Sequence, residues 1–279
     1  MSPDDYCAEA CRKAGSSFTQ SFRLLPAPRR RAMTALYAFC RAVDDVVDDI
    51  RDPVPAFTVL SWWRDEVGRL YAGAPRHPVT QALLPAVREF GLPRAHLEAI
   101  IDGMAMDLQH AGFADFDSLK LYCHRVAGVV GLLSARIFGY ADAGTETYAD
   151  RLGLALQLTN IIRDVGEDVI RGRIYLPADE MRAHGVLPGD VLARRETPEF
   201  LALMDLQVRR ARACFADALD ALPACDRRTQ RPGLMMAAAY RALLEEIAAG
   251  GCHVLREKTS LPPLRKALIG LRVAVTGRV

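Results

Sequence analysis

The sequence predicts a single all-α domain over residues 1–279. Three observations carry that expectation. Apolar residues recur at helical spacing, and no convincing alternating strand pattern interrupts them. The chain is 51% hydrophobic, rich in leucine and alanine, with few β-branched runs. Proline and glycine divide it into segments of helical length without leaving a repeat, a low-complexity stretch or a linker, so eight or more helices around one core is the economical architecture.

Taken in order, Pro26 and Pro28 precede a helix expected from about Arg29 to Ile50, which "RDPVP" ends. A second is expected from about Ala56 to Tyr71, ended by "AGAPRHP", and two more near Val79 to Phe90 and Arg94 to His110, separated by "GLP". The stretch "DFDSLKLYCHRVAGVVGLLSARIFGY" reads as one long helix whose glycines and alanines permit close packing. "TETYADRLGLALQLTNIIRDVGEDVIRG" reads as another, ended by Gly172. "RIYLPADEMRAHGVLPGDVLARR" is punctuated as a loop with one short helix. Helices resume at about Pro198 to Leu222 and Arg228 to Ala249.

Composition excludes several classes. Charged residues make up 25% and the formal net charge is +2, which leaves no electrostatic footprint for nucleic acid. The seven cysteines are scattered, form no C-x-x-C pair and fit a reducing cytosol. The N-terminus has no apolar signal core. The longest apolar candidate, "VAGVVGLLSARIFGY", is broken by Arg136 and reads as too short to span a bilayer. A soluble, cytoplasmic protein is expected.

The chemistry concentrates in two helices. "AFCRAVDDVVDDI" places four aspartates in six positions, against both like-charge repulsion and the helix dipole. On a wheel, Tyr37, Arg41, Asp44, Asp45 and Asp48 fall within about 100°, and Asp49 is marginal. In "QLTNIIRDVGEDVIRGRIYLP", Gln157, Asn160, Asp164 and Asp168 fall within about 80° on a helix whose flanks are apolar. A polar stripe on an otherwise buried helix implies an internal polar cavity. All-oxygen donors without histidine or cysteine select Mg²⁺ or Mn²⁺. Such a cation would be shared with a diphosphate, and Arg41, Arg163, Arg171 and Arg173 would supply bidentate donors to its oxygens.

"SSFTQSFRLLP", "ALYAFCRAVDDVVDD", "YCHRVAGVVG" and "QLTNIIRDVGEDVIRGRIYLP" together resemble the squalene/phytoene synthase family over about residues 15 to 258. That resemblance implies an isoprenoid synthase fold and head-to-head joining of two isoprenoid diphosphates. The style of the sequence is most similar to the bacterial branch that makes presqualene diphosphate for hopanoids. It further implies that Asp44, Asp45, Asp48, Asp164 and Asp168 hold Mg²⁺ and diphosphate. Arg41 and Arg163 would contact phosphate, with Asn160 and Gln157 beside the second acidic motif. Phe18 and Tyr37 would border the reacting prenyl ends, and Tyr240 would lie near the diphosphate. Arg173, Arg256 and Lys258 would add phosphate contacts.

Where squalene synthases of the family carry a catalytic tyrosine before the valine of this motif, the chain has Arg125, preceded by His124 and with Tyr122 three residues back. This favours a reaction that stops at the cyclopropyl product. No glycine-rich dinucleotide signature is present, and neither NADPH nor FAD is expected. The partners expected are isoprenoid diphosphates, a peripheral membrane contact and enzymes later in a squalene pathway.

Rival readings are narrower. A di-iron carboxylate bundle needs Glu-x-x-His pairs, to which only "DLQH", Asp107 to His110, comes near. A terpene cyclase or chain-elongating synthase shares the first acidic motif but not "DVGED". A non-enzymatic helical adaptor leaves the internal polar stripes unexplained. Among head-to-head products, phytoene, dehydrosqualene and squalene remain alternatives.

Overall fold

The computed structural model describes residues 1–14, 22, 25–50, 52–109 and 112–279, and all regular structure among them is helical. The elements are α1 (Pro3–Ala14), α2 (Ala27–Asp49), α3 (Pro53–Tyr71), α4 (Pro78–Phe90), α5 (Arg94–Leu108), α6 (Phe116–Cys123), α7 (Val129–Phe138), α8 (Gly144–Asp168), α9 (Ala178–Ala183), α10 (Pro188–Leu192), α11 (Pro198–Ala221), α12 (Arg231–Ala249) and α13 (Pro263–Thr276).

Local signals set most boundaries. Asp52 caps α3 by accepting from Val54 N at 3.0 Å. Asp115 and Ser118 cap α6 reciprocally. Thr197 accepts from Phe200 N to start α11, and Gly91 in the left-handed conformation stops α4.

Three expectations need correction. The long helix over 116–140 is interrupted by a π turn, His124–Gly128, between α6 and α7. The loop after Gly172 contains two short helices, α9 and α10, because Pro177 and Pro188 each start a turn. Helices α1 and α13 at the two ends are additions to the expected set. The run Phe116–Phe138 is long and apolar enough to cross a bilayer by length and composition, but half of its apolar window is buried inside the protein. It is a core element.

Two apolar clusters fill the interior. One joins α2, α3, α4 and α5 with α7 around Met33, Phe39, Leu83 and Ile101. The other surrounds α8, packed by α11 and α12, around Tyr148, Phe200, Phe215 and Leu244. Val126 of the π turn touches both. The layers meet closely where α8 crosses the π turn. A Cβ on Gly153 would lie 2.6 Å from Ala127 O and from Gly128 Cα, so only glycine admits this backbone contact.

Buried carboxylates brace the frame. Glu66 of α3 is fully buried and accepts from Arg76 N at 2.6 Å, His77 N at 2.8 Å, Thr80 Oγ1 at 2.5 Å and Arg69 Nε at 2.6 Å. Burial works against its charge, but these four donors outweigh it and hold the carboxyl down at about 2.

Candidate active site

Helices α2 and α8 carry the predicted stripes, and both run from an apolar end to an acidic end in the same N-to-C sense. Eleven positions separate Tyr37 from Asp48 on α2 and Gln157 from Asp168 on α8, about 16 Å of helical rise in each case.

At the apolar end lies a cavity of about 240 Å³ between α2, the π turn, α7, α8 and α12. Its walls include Val130, Phe138, Leu152, Gly153, Leu156 and Met236, and no charged side chain is among the described residues lining it. Tyr37, Gln157, Asn160 and Tyr240 are its polar members on the acidic side. Asn160 Nδ2 donates to Gln157 Oε1 at 3.3 Å, while the buried Asn160 Oδ1 has no partner. Such an orphaned acceptor costs free energy unless a ligand supplies a positive group.

At the acidic end the carboxylates divide by environment. Arg41 lies 3.0 Å from Asp44 and 2.5 Å from Asp45. Asp45 and Arg41 also border a surface pocket under α1, with Glu9 and Lys13. Asp49 is exposed, as its marginal wheel position implied. Desolvation together with the charge of Asp48 pushes the Asp44 carboxyl up to about 6. On α8, burial together with the charge of Asp164 pushes Asp168 up to about 7.

Arg163 grips Asp164 in a two-pronged ion pair, with Nε–Oδ1 at 2.7 Å and Nη2 on Oδ2. Tyr240 also bonds Arg163, whose guanidinium is held above its ordinary range. Lys258 lies 3.4 Å from Asp164 and 2.5 Å from Glu167. The glycine in "DVGED" makes that approach feasible. Gly166 N donates to Val254 O at 3.1 Å, and a Cβ there would meet the same oxygen at 2.5 Å.

Past α8, a short 3-10 turn ends at Gly172, and the chain folds back over the acidic end. This return closes a polar cleft of about 610 Å³ containing Asp48, Asp107, Arg171 and Arg173. Arg171 and Arg173 reach Asp48 at 3.0 and 3.4 Å, and Arg173 also donates to Val47 O at 3.1 Å. Tyr175 from the same return donates to Asp107 at 2.8 Å, as does Tyr122 of α6. Asp107 adds to the like-charge push on both Asp44 and Asp168, so it lies near a carboxylate of each acidic helix.

Sequence reasoning missed Asp107 as a site residue and met it only in the di-iron reading, whose His110 lies outside the described residues. Its signal was a lone acid on the apolar helix "AIIDGMAMDL". The structure does not bring Arg256 to the acidic helices. Its guanidinium is 67% exposed and lies 3.3 Å from Glu196, because the tight turn at 251–257 aims it outward while Lys258 points in. Phe18 lies outside the described residues.

The residues fit a hard divalent cation. Every candidate donor is an oxygen, Asn160 Oδ1 is unpartnered, and two carboxylates are held up by burial and like charge, which a cation would relieve. Among the described residues no three His, Cys, Asp or Glu side chains form a closed cage.

Comparison with known proteins gives a consistent likeness. Residues 11–265 match the squalene/phytoene synthase family model. A presqualene diphosphate synthase from Rhodopseudomonas palustris is 40% identical over 265 residues, covering 94% of each chain. Phytoene synthase 3 of Zea mays, a chloroplast protein, is 37% identical over 268 residues; these cover 94% of this chain and 63% of the maize protein. Among solved structures, a dehydrosqualene synthase with bound ligand superposes with a TM-score of 0.88 at 27% identity, covering 97% of this chain and 95% of that one.

Proposed function

The chain belongs to the squalene/phytoene synthase family, and from that premise we propose that it condenses two farnesyl diphosphates head to head into presqualene diphosphate, releasing diphosphate and a proton. The family's members are prenyltransferases acting on isoprenoid diphosphates, with the all-α isoprenoid synthase fold. The observation that carries the finer reading is the pairing of an uncharged cavity with a cation-ready acidic end along the same two helices.

In this reading Asp44, Asp48, Asp164, Asp168 and Asn160 Oδ1 hold Mg²⁺. When bound, the ion neutralises the diphosphate and makes it a better leaving group. Arg41, Arg163, Arg171, Arg173 and Lys258 take up diphosphate oxygens as they release their carboxylate partners. Loss of diphosphate leaves an allylic cation on the first prenyl chain. The double bond of the second attacks it, and loss of a proton closes the cyclopropane.

The apolar walls keep water from the cation. In this reading the departing diphosphate takes the proton. Arg125 supports termination at presqualene diphosphate. It donates to the thioether of Met106 at 3.3 Å and does not line the apolar cavity, where a second, reductive step would need a group to manage the rearranging cation.

Purified protein with Mg²⁺ and farnesyl diphosphate, without NADPH, is expected to accumulate presqualene diphosphate by mass spectrometry. Squalene formed on adding NADPH would refute termination at that product. The comparable identity to phytoene synthases sustains a second reading, condensation of geranylgeranyl diphosphate to a C40 hydrocarbon, and the same assay with that donor decides between them.

A further inference from the structure

Helix α13 carries two apolar faces, and only one of them is used. Val273 is buried and Ile269 packs on the core beside α12. On the opposite side Leu264, Leu268, Leu271 and Val275 are 72%, 58%, 62% and 70% exposed. At 100° per residue these four fall within about 60°, a continuous stripe along about 16 Å of helix. Other exposed large apolar residues stand singly or in pairs on separate elements. A solvent-facing leucine row is a standing cost unless something covers it.

The charge around the stripe identifies the cover. From 259 to 279 the sequence has four basic residues, Arg265, Lys266, Arg272 and Arg278, and no acidic one. Arg265 and Arg272 run along one margin of the stripe. At its far end Arg227 donates to Gly277 O at 3.4 Å, which brings Arg227 and the exposed Arg228 alongside. The two acids on the neighbouring stretch of α12 are already paired, Glu246 with Arg265 and Glu245 with Arg212 at 2.6 Å. A second copy of the chain would set these arginines against one another. A surface that is apolar within and anionic at its edge satisfies both features.

We propose that α13 docks the protein onto anionic lipid bilayers, lying in the interface plane with Leu264, Leu268, Leu271 and Val275 inserted and Arg272, Arg278 and Arg228 on lipid phosphates. The inference is independent of which diphosphates the site joins.

Co-flotation with vesicles tests it. The full chain binds vesicles of equal parts phosphatidylglycerol and phosphatidylcholine at least about tenfold more strongly than phosphatidylcholine alone, and the difference shrinks with added salt. The double substitution Leu268→Glu and Leu271→Glu removes at least about tenfold of that binding. Because both positions are exposed, its melting temperature and sedimentation coefficient stay at wild-type values. Arg272→Glu with Arg278→Glu removes the anionic preference. Equal binding to both vesicle types, binding to neither, or a solution dimer that the leucine substitutions dissociate would each overturn the proposal.

Discussion

Oδ1 of Asp48 lies 3.0 Å from Nη1 of Arg171, 123 positions further along the chain. The first acidic helix is thus tied, before any ligand arrives, to the segment that follows the second. In the proposed reading, a cation taken up by Asp48 would compete with that guanidinium and with Arg173, freeing both for phosphate. The two arginines are not equivalent: Arg171 is 53% exposed and Arg173 only 16%. Arg171→Ala should raise KM several-fold and cost less than about 1 kcal/mol of stability. Arg173→Ala also loses its bond to Val47 O and should cost about 2 kcal/mol. Equal losses in thermal melts would contradict this distinction.

Asp44 and Asp168 are penalised by burial and like charge in the ligand-free protein. Mg²⁺ with inorganic diphosphate should therefore raise the melting temperature, since it binds only the folded state. Asp168→Asn should abolish most of that rise and reduce turnover at least about a hundredfold. Differential scanning fluorimetry and product assays read the two effects separately, and chelation by EDTA should suppress wild-type turnover in the same way.

Asp107 receives two tyrosine hydroxyls, from Tyr122 and Tyr175, both at 2.8 Å. Asp107→Leu strands both donors and should cost about 3 kcal/mol, whereas Tyr175→Phe leaves the carboxylate its bond from Tyr122 and should cost less, about 1 kcal/mol. Urea unfolding measures both. A smaller loss for Asp107→Leu than for Tyr175→Phe would show that the carboxylate, not its loss, is the burden.

Glu66 gives the pH signature. Its folded value, about 2, lies below the ordinary 4.5, so the unfolded chain binds more protons and stability falls as pH drops through that interval. The contribution is complete above about pH 5. Glu66→Gln should cost about 3 kcal/mol at neutral pH, and the gap to wild type should narrow as pH falls below about 4. A gap independent of pH would show that the four donors do not depend on the charge.

Gly153→Ala places a methyl 2.6 Å from Ala127 O. Neither helix can yield without opening the apolar cavity, so a loss of about 3 kcal/mol is expected. A wild-type melting temperature would show that the two backbones can part at little cost.

Much of this was legible in the sequence, for local reasons. Proline, glycine and capping side chains mark the helices from α2 to α5 within a few residues, and the two acidic stripes follow from helical period alone. The apolar cavity could be inferred only as a space beside them. What sequence could not supply was non-local. Asp107 is one acid on an apolar helix until the chain's return brings Tyr175 back to it. Arg256 and Lys258 are two residues apart, and only the turn geometry sends one to Glu196 and the other to Asp164. The short helices after Gly172 lie below the length at which periodicity speaks.

The π turn at His124–Gly128 holds one residue more than an ordinary helix would use there. That residue is looped out, so consecutive side chains diverge: Arg125 turns to Met106 of α5, while Val126 lines the cavity. Removing a single residue from this turn would restore an ordinary helix and leave α6 and α7 in their present register, so Gly131 would keep its seat on Ala149. What would change is the local aim of Arg125 and Val126. A one-residue deletion inside α7 has no such slack and would turn everything beyond it by about 100°.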